Sequence, residues 1–157
     1  MIKFTKNHFK IVKSVQWSDV IKKLAFEFEN GTVNFIADTP LIPPTFAMHS
    51  NFAPGSIRTA YDEVKDSENI VEMHVYSSLG SSSATYGKHK DVMNVLIVAA
   101  IGSVIYRFDN DLTYTLDPGD SIFIPKGVYH EPQIVEPRVT LSFSWEATPN
   151  NNNRIDS

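Results

Sequence analysis

The stretch DPGDSIFIPKGVYH, residues 117–130, places a short apolar strand between two turns. The opening tetrapeptide, residues 117–120, favours a tight turn, because proline fixes φ near −65° and glycine accepts positive φ. A proline and a glycine then mark a second turn before His130. A strand this short between two turns is typical of an all-β sandwich or barrel.

The same pattern continues through residues 70–146. Short runs rich in β-branched and aromatic residues alternate with segments of turn chemistry such as LGSSS, IGS and DNDL. This spacing predicts an all-β barrel core. The predicted strands are IVEMHVYSS (70–78), MNVLIVAAI (93–101), SVIYRF (103–108), YTLD (114–117), SIFIP (121–125) and VTLSFSW (139–145).

The segment before the barrel, residues 17–69, has a different pattern. Apolar residues at helical spacing predict an amphipathic helix over 17–28, with Ser18 or Asp19 as its N-terminal cap and Asn30-Gly31 as its end. A short strand follows at 32–37. Weak periodicity predicts a loop with at most a helical turn over 45–69, and the polar tail 147–157 is expected to be disordered.

Composition limits the class of protein. A chain of 157 residues, 42% hydrophobic and 20% charged, is expected to form one soluble domain. A net charge of −4 without a basic cluster argues against a nucleic-acid partner. The longest apolar run, Val95–Ile101, is too short to span a membrane, and the N-terminus lacks the apolar core of a secretory signal. We therefore expect a cytoplasmic protein.

The absence of cysteine limits a metal site to imidazole and carboxylate ligands. His89 and Asp91 are two residues apart at the start of a strand, so their side chains project from one face. His130 would join them from another strand, which would give the facial arrangement of non-haem Fe(II) oxygenases. The alternative reading is a solvated strand end for the H-x-D triplet and a satisfied buried histidine at 130.

Polar side chains occupy alternate positions of two further strands, and the sequence leaves open whether those faces point into the barrel or into solvent. If they point inward, Tyr76, Tyr106 and Ser142 are candidates to bind a cofactor. His74, Thr140 and Ser144 are then candidates to bind substrate, with His74 also a possible fourth ligand or acid–base group. The opposite apolar face, Val139, Leu141, Phe143 and Trp145, must be covered by the N-terminal helix or by a second subunit.

The quoted stretch resembles the second cupin motif, with its glycines, proline and histidine in register at Gly119, Pro125, Gly127 and His130. The stretch from 87 to 102 matches the first cupin motif in part. His89 occupies the first histidine position, Asp91 the second and Gly102 the closing glycine. Val95 stands at the usual glutamate and Ser83 at the opening glycine. The resemblance therefore implies a cupin jelly-roll barrel with three metal ligands instead of four.

The sequence Gly87-Lys88-His89-Lys90-Asp91, followed by VLIVAAI and a glycine, is similar to the triad region of JmjC-like oxygenases, including the ribosomal-protein hydroxylases. The likeness covers most of residues 17–146. It implies Fe(II) or another divalent metal at His89, Asp91 and His130. It also implies 2-oxoglutarate as co-substrate and hydroxylation of a C–H bond.

The family pattern also requires a basic side chain to hold the far carboxylate of 2-oxoglutarate. In the JmjC-like family it lies on the strand after the glycine turn, where this chain has Val104. Arg107 is on the same strand, but alternation places it on the opposite face unless a β-bulge re-aims it. The distance along the chain from Asp91 to His130 is also shorter than in typical family members.

Three functions therefore remain open at the level of sequence. The first is an oxygenase using Fe(II) and 2-oxoglutarate on a peptide, amino acid or small molecule. The second is a metal-binding cupin that acts on a small molecule without 2-oxoglutarate, which Val104 favours. The third is a non-catalytic barrel that binds a ligand or partner. A homodimer is expected because cupins often dimerise.

Overall fold

The computed structural model describes residues 1–37, 40–67, 69–70 and 72–147. Within them the chain forms ten strands and two α-helices. The helices are α1 (Trp17–Asn30) and α2 (Gly55–Lys65). The strands are β1 (Lys3–Thr5), β2 (Asn34–Ile36), β3 (Thr45–Met48), β4 (Glu72–Ser78), β5 (Asn94–Ile101), β6 (Val104–Phe108), β7 (Thr113–Leu116), β8 (Ser121–Ile124), β9 (His130–Ile134) and β10 (Arg138–Trp145).

The strands pair into two antiparallel sheets. The larger sheet has the order β1-β8-β5-β10-β4-β3-β2, and the smaller has the order β7-β6-β9. Neighbours in the sheets are often distant in sequence, as expected of a jelly roll and unlike a simple meander. A separate antiparallel bridge between His89 and His130 links the segment before β5 to the start of β9.

An apolar core occupies part of the space between the sheets. Residues from β5 and β8 of the larger sheet pack there against residues from all three strands of the smaller sheet. Alternation decides which side chains enter: on β6, Val104 and Tyr106 are buried while Arg107 is exposed. The buried members are Val95, Ile97, Ala99, Val104, Tyr106, Phe108, Leu116, Ile122, Ile124 and Ile134.

A second core lies on the outer face of the larger sheet. Val139, Leu141 and Phe143 are fully buried there against residues from α1, α2 and the 3₁₀ turn at Ile11–Ser14. Of the two covers that the sequence left open, the N-terminal helix and a second subunit, α1 contributes to the cover together with α2 and the 3₁₀ turn. Burying a side chain of this size stabilises the fold by about 1.5–3 kcal/mol.

Residues 45–69 are more regular than predicted. They contain β3, which pairs with β4, and the eleven-residue helix α2. The loop prediction was wrong. The helix has only three buried apolar residues, Ile57, Ala60 and Val64, and it is stabilised by packing them into the core. Asp19 is not the cap of α1, which begins after Gln16. Its carboxylate instead accepts hydrogen bonds from the amide and the hydroxyl of Ser56.

A buried ion pair fastens α1 to the segment after β3. Lys23 Nζ lies 3.7 Å from Glu27 Oε1, and both side chains are fully buried. Lys23 also donates to the carbonyls of Ser50 and Phe52, while Glu27 accepts from the amides of His49 and Ser50. These hydrogen bonds satisfy both charges, as burial of an ion pair requires.

The arrangement is the predicted all-β jelly roll, with a helical segment packed on the outer face of the larger sheet. The expected disordered tail falls, from residue 148 onward, outside the described residues. No helix in the described part of the chain has the length and apolar character needed to cross a membrane.

Candidate metal centre

The predicted ligands lie at or just before the first residues of two strands, one in each sheet. His89 and Asp91 lie just before β5, and His130 is the first residue of β9. His89 and His130 donate their backbone amides to each other's carbonyls, at 2.9 and 2.8 Å. The amide of Gly127 donates to the Asp91 carbonyl at 3.0 Å. The three residues are therefore held by main-chain contacts.

Their donor atoms converge. His130 Nε2 lies 3.2 Å from Asp91 Oδ2, and His89 Nε2 lies 3.9 Å from Asp91 Oδ1. One donor atom from each residue can be chosen so that all three lie within 4.8 Å of one another. Ligands about 2.0–2.2 Å from a shared cation have separations in this range.

The other nitrogen of each imidazole fixes its tautomer. His89 Nδ1 contacts the Gly87 carbonyl at 2.8 Å, and His130 Nδ1 contacts the Val128 carbonyl at 2.9 Å. A carbonyl oxygen only accepts, so each Nδ1 carries the proton and each Nε2 presents its lone pair to the common point. Metal-binding histidines are usually oriented in this way. The donor set therefore fits a divalent metal.

The charge on Asp91 suits the same role. Burial raises the pKa of this carboxyl, but the close imidazole of His130 and the neighbouring imidazoles of His89 and His74 outweigh burial and lower it below its ordinary value. Asp91 is therefore ionised at neutral pH. Its side chain is 37% exposed, and that of His130 only 2%. The cluster thus has a buried side and an open side.

The cluster lies in the wall of a cavity between the sheets. Besides the three ligands, the lining contains the phenols Tyr76, Tyr86 and Tyr106. Burial raises the pKa of Tyr76 and of Tyr106, so both phenols stay protonated near neutral pH. The remaining lining residues are Ile36, Thr45, Thr85, Ile97, Pro132, Arg138 and Ser142.

The candidate cofactor residues Tyr76, Tyr106 and Ser142 all line this cavity. The polar faces of β4 and β10 thus point inward at these positions. Arg107 lies outside, exposed, with its Nε donating to Gln133. Lys90 also points away from the ligands, with Nζ 5.2 Å from the Tyr129 ring centroid.

The candidate substrate residues do not line the cavity. His74 and Ser144 both approach Glu72, at 3.6 and 3.3 Å, and the His74 ring contacts the ring of His49. His49 is half-buried. Thr140 is buried under the cavity wall as a hydrogen-bond partner of Arg138. Their proposed contacts with substrate stay predictions.

Arg138 is the lining residue that sequence reasoning missed. It is 3% exposed and begins β10. Its Nε donates to Ser78 Oγ at 3.0 Å and its Nη1 donates to Thr140 Oγ1. The alternation of side chains along the strand could have indicated this position, because Arg138 lies on the same face as Thr140, Ser142 and Ser144. The family pattern places the basic residue on the strand after Gly102, whereas Arg138 begins β10.

No family model matches the sequence, and no curated protein matches it. Solved structures do match. YcfD, a ribosomal oxygenase from Escherichia coli, superposes with a TM-score of 0.69 at 17% identity, over 99% of this chain and 50% of that one. YcfD in complex with cobalt and 2-oxoglutarate gives a TM-score of 0.73 at 16% identity, with the same coverage. A complex with cobalt and succinic acid gives 0.58 at 17% identity, over 74% and 35% of the two chains.

The chain spans about half the length of the YcfD chains it matches. At these identities the likeness is one of fold. This chain has the fold of these YcfD structures, with a His-Asp-His cluster in its cavity.

Proposed function

We propose that this chain is a non-haem Fe(II) oxygenase that uses 2-oxoglutarate as co-substrate. The observation that carries the proposal is the convergence of His89 Nε2, Asp91 and His130 Nε2 at the wall of a cavity in this fold. Two imidazoles and one carboxylate on one side of a metal leave positions open for a co-substrate and oxygen. The structure of YcfD with cobalt and 2-oxoglutarate supports the proposal by analogy of fold.

The metal, when bound, supplies the activation of oxygen. The chain supplies geometry. The main-chain bridge sets the spacing of His89 and His130, and the Nδ1 hydrogen bonds aim each Nε2 at the common point. The protonated phenols of Tyr76 and Tyr106 offer hydrogen-bond donors to an oxygen-rich ligand. The apolar core between the sheets limits access of water through the interior of the barrel.

The open side of the cluster is where a substrate would approach. Asp91 and His89 are partly exposed there, and the ring of Tyr86 lies 5.9 Å from that of His89 and is half exposed. The proposed substrate is a peptide, an amino acid or a small molecule. A homodimer in the cytoplasm remains part of the proposal.

The second candidate is a metal-binding cupin that acts without 2-oxoglutarate. Val104 favours it, since this apolar residue stands at the position of β6 where the family pattern has a basic side chain. Arg138 weakens that argument, because it brings a buried cation into the same cavity from β10. A non-catalytic ligand-binding barrel would not need the aligned Nε2 atoms.

The test is conversion of 2-oxoglutarate to succinate by protein loaded with Fe(II) without oxygen and then exposed to air. We expect slow succinate release even without the natural substrate, and none from Asp91→Ala. His8→Ala is the control and should release succinate as the unaltered protein does, since His8 is an exposed histidine that forms a hydrogen bond with Ser121. Protein that holds Fe(II) and 2-oxoglutarate but releases no succinate would favour the second candidate. Protein that takes up no metal would favour the barrel.

A further inference from the structure

The protein has a second pair of facing histidines. The ring centroids of His49 and His74 lie 4.4 Å apart, the same separation as for the two histidines of the metal centre. Glu72 lies two residues from His74, which is also the spacing of the metal-binding H-x-D triplet. His74 Nε2 is 3.6 Å from Glu72 Oε2, compared with 3.9 Å for the corresponding atoms of that triplet. Two imidazoles and one carboxylate therefore occur together at two places in the protein.

Strand pairing explains this second cluster, which consists of His49, His74 and Glu72. Strands β3 and β4 pair antiparallel as far as Met48 and Val75, so His49 and His74 are the next residues along and stand opposite each other. Side chains at opposed positions have Cβ atoms about 4.5–5.5 Å apart. Alternation places Glu72 on the same face of β4 as His74. The three side chains are thus brought together by the sheet itself.

His49 is held in position from two sides. Its amide donates to Glu27 Oε1 at 2.7 Å, and Lys23 forms the buried ion pair with that carboxylate. Its ring Nε2 lies 3.0 Å from Asn34 Nδ2, and rotation of this amide lets the oxygen accept the Nε2 proton, which leaves Nδ1 as the ligand atom. Burial and the neighbouring His74 lower the pKa of His49. The ring is therefore neutral near pH 7, the form that binds a metal.

Glu72 is the side chain that has to move. Among the described residues, only the metal centre has three donor atoms that all lie within 4.8 Å of one another. The Glu72 side chain is 44% exposed, and its Oε1 accepts from Ser144 Oγ at 3.3 Å, a longer contact than the usual 2.5–3.0 Å for two oxygens. Rotation of this carboxylate towards His49 gives up that weak contact and completes the donor set.

We propose that His49, His74 and Glu72 bind a second divalent ion, of the late first-row class that includes Zn(II). Imidazole and carboxylate are ligands that such metals accept. His74 pairs with Ser142, and its ring lies 6.3 Å from that of Tyr76, so the cluster adjoins two residues that line the cavity. The ion links the end of β3 to β4 beside the cavity. The proposal is independent of the oxygenase reaction, because the two clusters share no residue.

Zn(II) and Mn(II) distinguish the two clusters. The affinity of nitrogen and oxygen ligands is higher for Zn(II) than for Mn(II), which stands at the weak end of the first-row series. The donor atoms of the metal centre already converge, whereas the second cluster loses part of its binding free energy to the movement of Glu72. We therefore expect Mn(II) to bind at the metal centre and Zn(II) to bind at both clusters.

The first test is the stoichiometry of Zn(II) binding, measured by titration calorimetry. We expect two equivalents for the unaltered protein and for the control His8→Ala. We expect one for His74→Ala, one for Asp91→Ala, and none for the double variant. Two equivalents that persist in His74→Ala would overturn the proposal, as would a single equivalent that only Asp91→Ala removes. A single equivalent that only His74→Ala removes would retain the second cluster and reject the metal centre.

The second test uses a substitution that preserves side-chain size at a half-exposed position. In the Asp91→Ala variant, Zn(II) should raise the midpoint of thermal unfolding through the second cluster, and EDTA should reverse the rise. Addition of Glu72→Gln should lower the remaining Zn(II) affinity at least about tenfold, since loss of an outer-shell partner alone costs about 10–100-fold. Glu29→Gln, at an exposed position of α1, is the matched control and should leave the affinity unchanged. Unchanged affinity in the Glu72→Gln protein would show that this carboxylate is not a ligand and would overturn the proposal.

Discussion

The main chains of His89 and His130 exchange two hydrogen bonds, at 2.9 and 2.8 Å, where the two sheets approach each other. The bridge fixes the two imidazoles relative to each other through backbone atoms. Their ring centroids are 4.4 Å apart, and the Nε2 atoms of both rings approach the carboxylate of Asp91. Metal affinity and folding should therefore respond separately to side-chain substitutions at these positions.

Replacement of either histidine by alanine should remove metal binding and keep the fold. His89→Ala and His130→Ala each lose one ligand atom but retain the amide and carbonyl of the bridge. We expect Mn(II) affinity to fall by more than about 100-fold, since loss of an outer-shell partner alone costs about 10–100-fold. Calorimetric titration measures the affinity and circular dichroism the fold. Unchanged affinity in either variant would show that the cluster is not the metal site.

Metal binding should stabilise the native protein measurably. A ligand present at 100 times its Kd, bound only by the folded state, adds about 2.7 kcal/mol to the free energy of unfolding. We expect Mn(II) to raise the midpoint of thermal unfolding, and EDTA to reverse the rise. Asp91→Ala should show no shift at the same metal concentration. A shift of equal size in that variant would place the bound metal elsewhere.

Loss of the Glu27 carboxylate should destabilise the fold at neutral pH. Burial raises the pKa of Glu27, but hydrogen bonds from Ser50 and Thr32 and the charge of Lys23 outweigh burial and lower it to about 2. Glu27→Gln leaves Lys23 buried without its partner, and we expect a loss of about 3 kcal/mol in unfolding free energy. Urea unfolding at pH 7 measures it. Glu29→Gln, on the exposed face of the same helix, should change little.

The same carboxylate predicts an acid-sensitive contribution to stability. The folded pKa lies below the ordinary value of 4.5, so the stabilising charge is fully present above pH 4.5 and is lost as pH falls toward 2. The difference in unfolding free energy between the native protein and Glu27→Gln should therefore shrink across that range. A difference that stays constant from pH 7 to pH 2 would contradict the lowered pKa.

Gly102 should be intolerant of any side chain. Its φ is +69°, and a Cβ would meet the Pro137 carbonyl oxygen at 2.2 Å, a backbone atom that cannot move without shifting β10. Gly31 has a similar φ of +67° with open space around it. We expect Gly31→Ala to cost about 1 kcal/mol and Gly102→Ala at least about 2 kcal/mol. Equal losses in urea unfolding would show that the contact with Pro137 is relaxed at no cost.

Local sequence pattern predicted those elements whose signals lie within a few residues. Helix α1 ends at Asn30 with Gly31 left-handed, as the Asn-Gly pair indicates. Six of the barrel strands lie where period-two alternation and turn residues place them. Strand β3 and helix α2 were missed because each has few apolar residues. β3 depends on pairing with β4, and α2 depends on packing against the larger sheet.

The sequence alone determined the candidate ligands and which side chains share a face with Tyr76, Tyr106 and Ser142, because spacing along a strand fixes the face. That this face points into the cavity was decided by the tertiary structure. Only the tertiary structure decided that His89 and His130 form a bridge and that Arg138 enters the cavity in place of a residue at Val104. Those relationships depend on strand register between segments far apart in the chain. Register is set by the packing of both sheets, a property that no short stretch of residues carries.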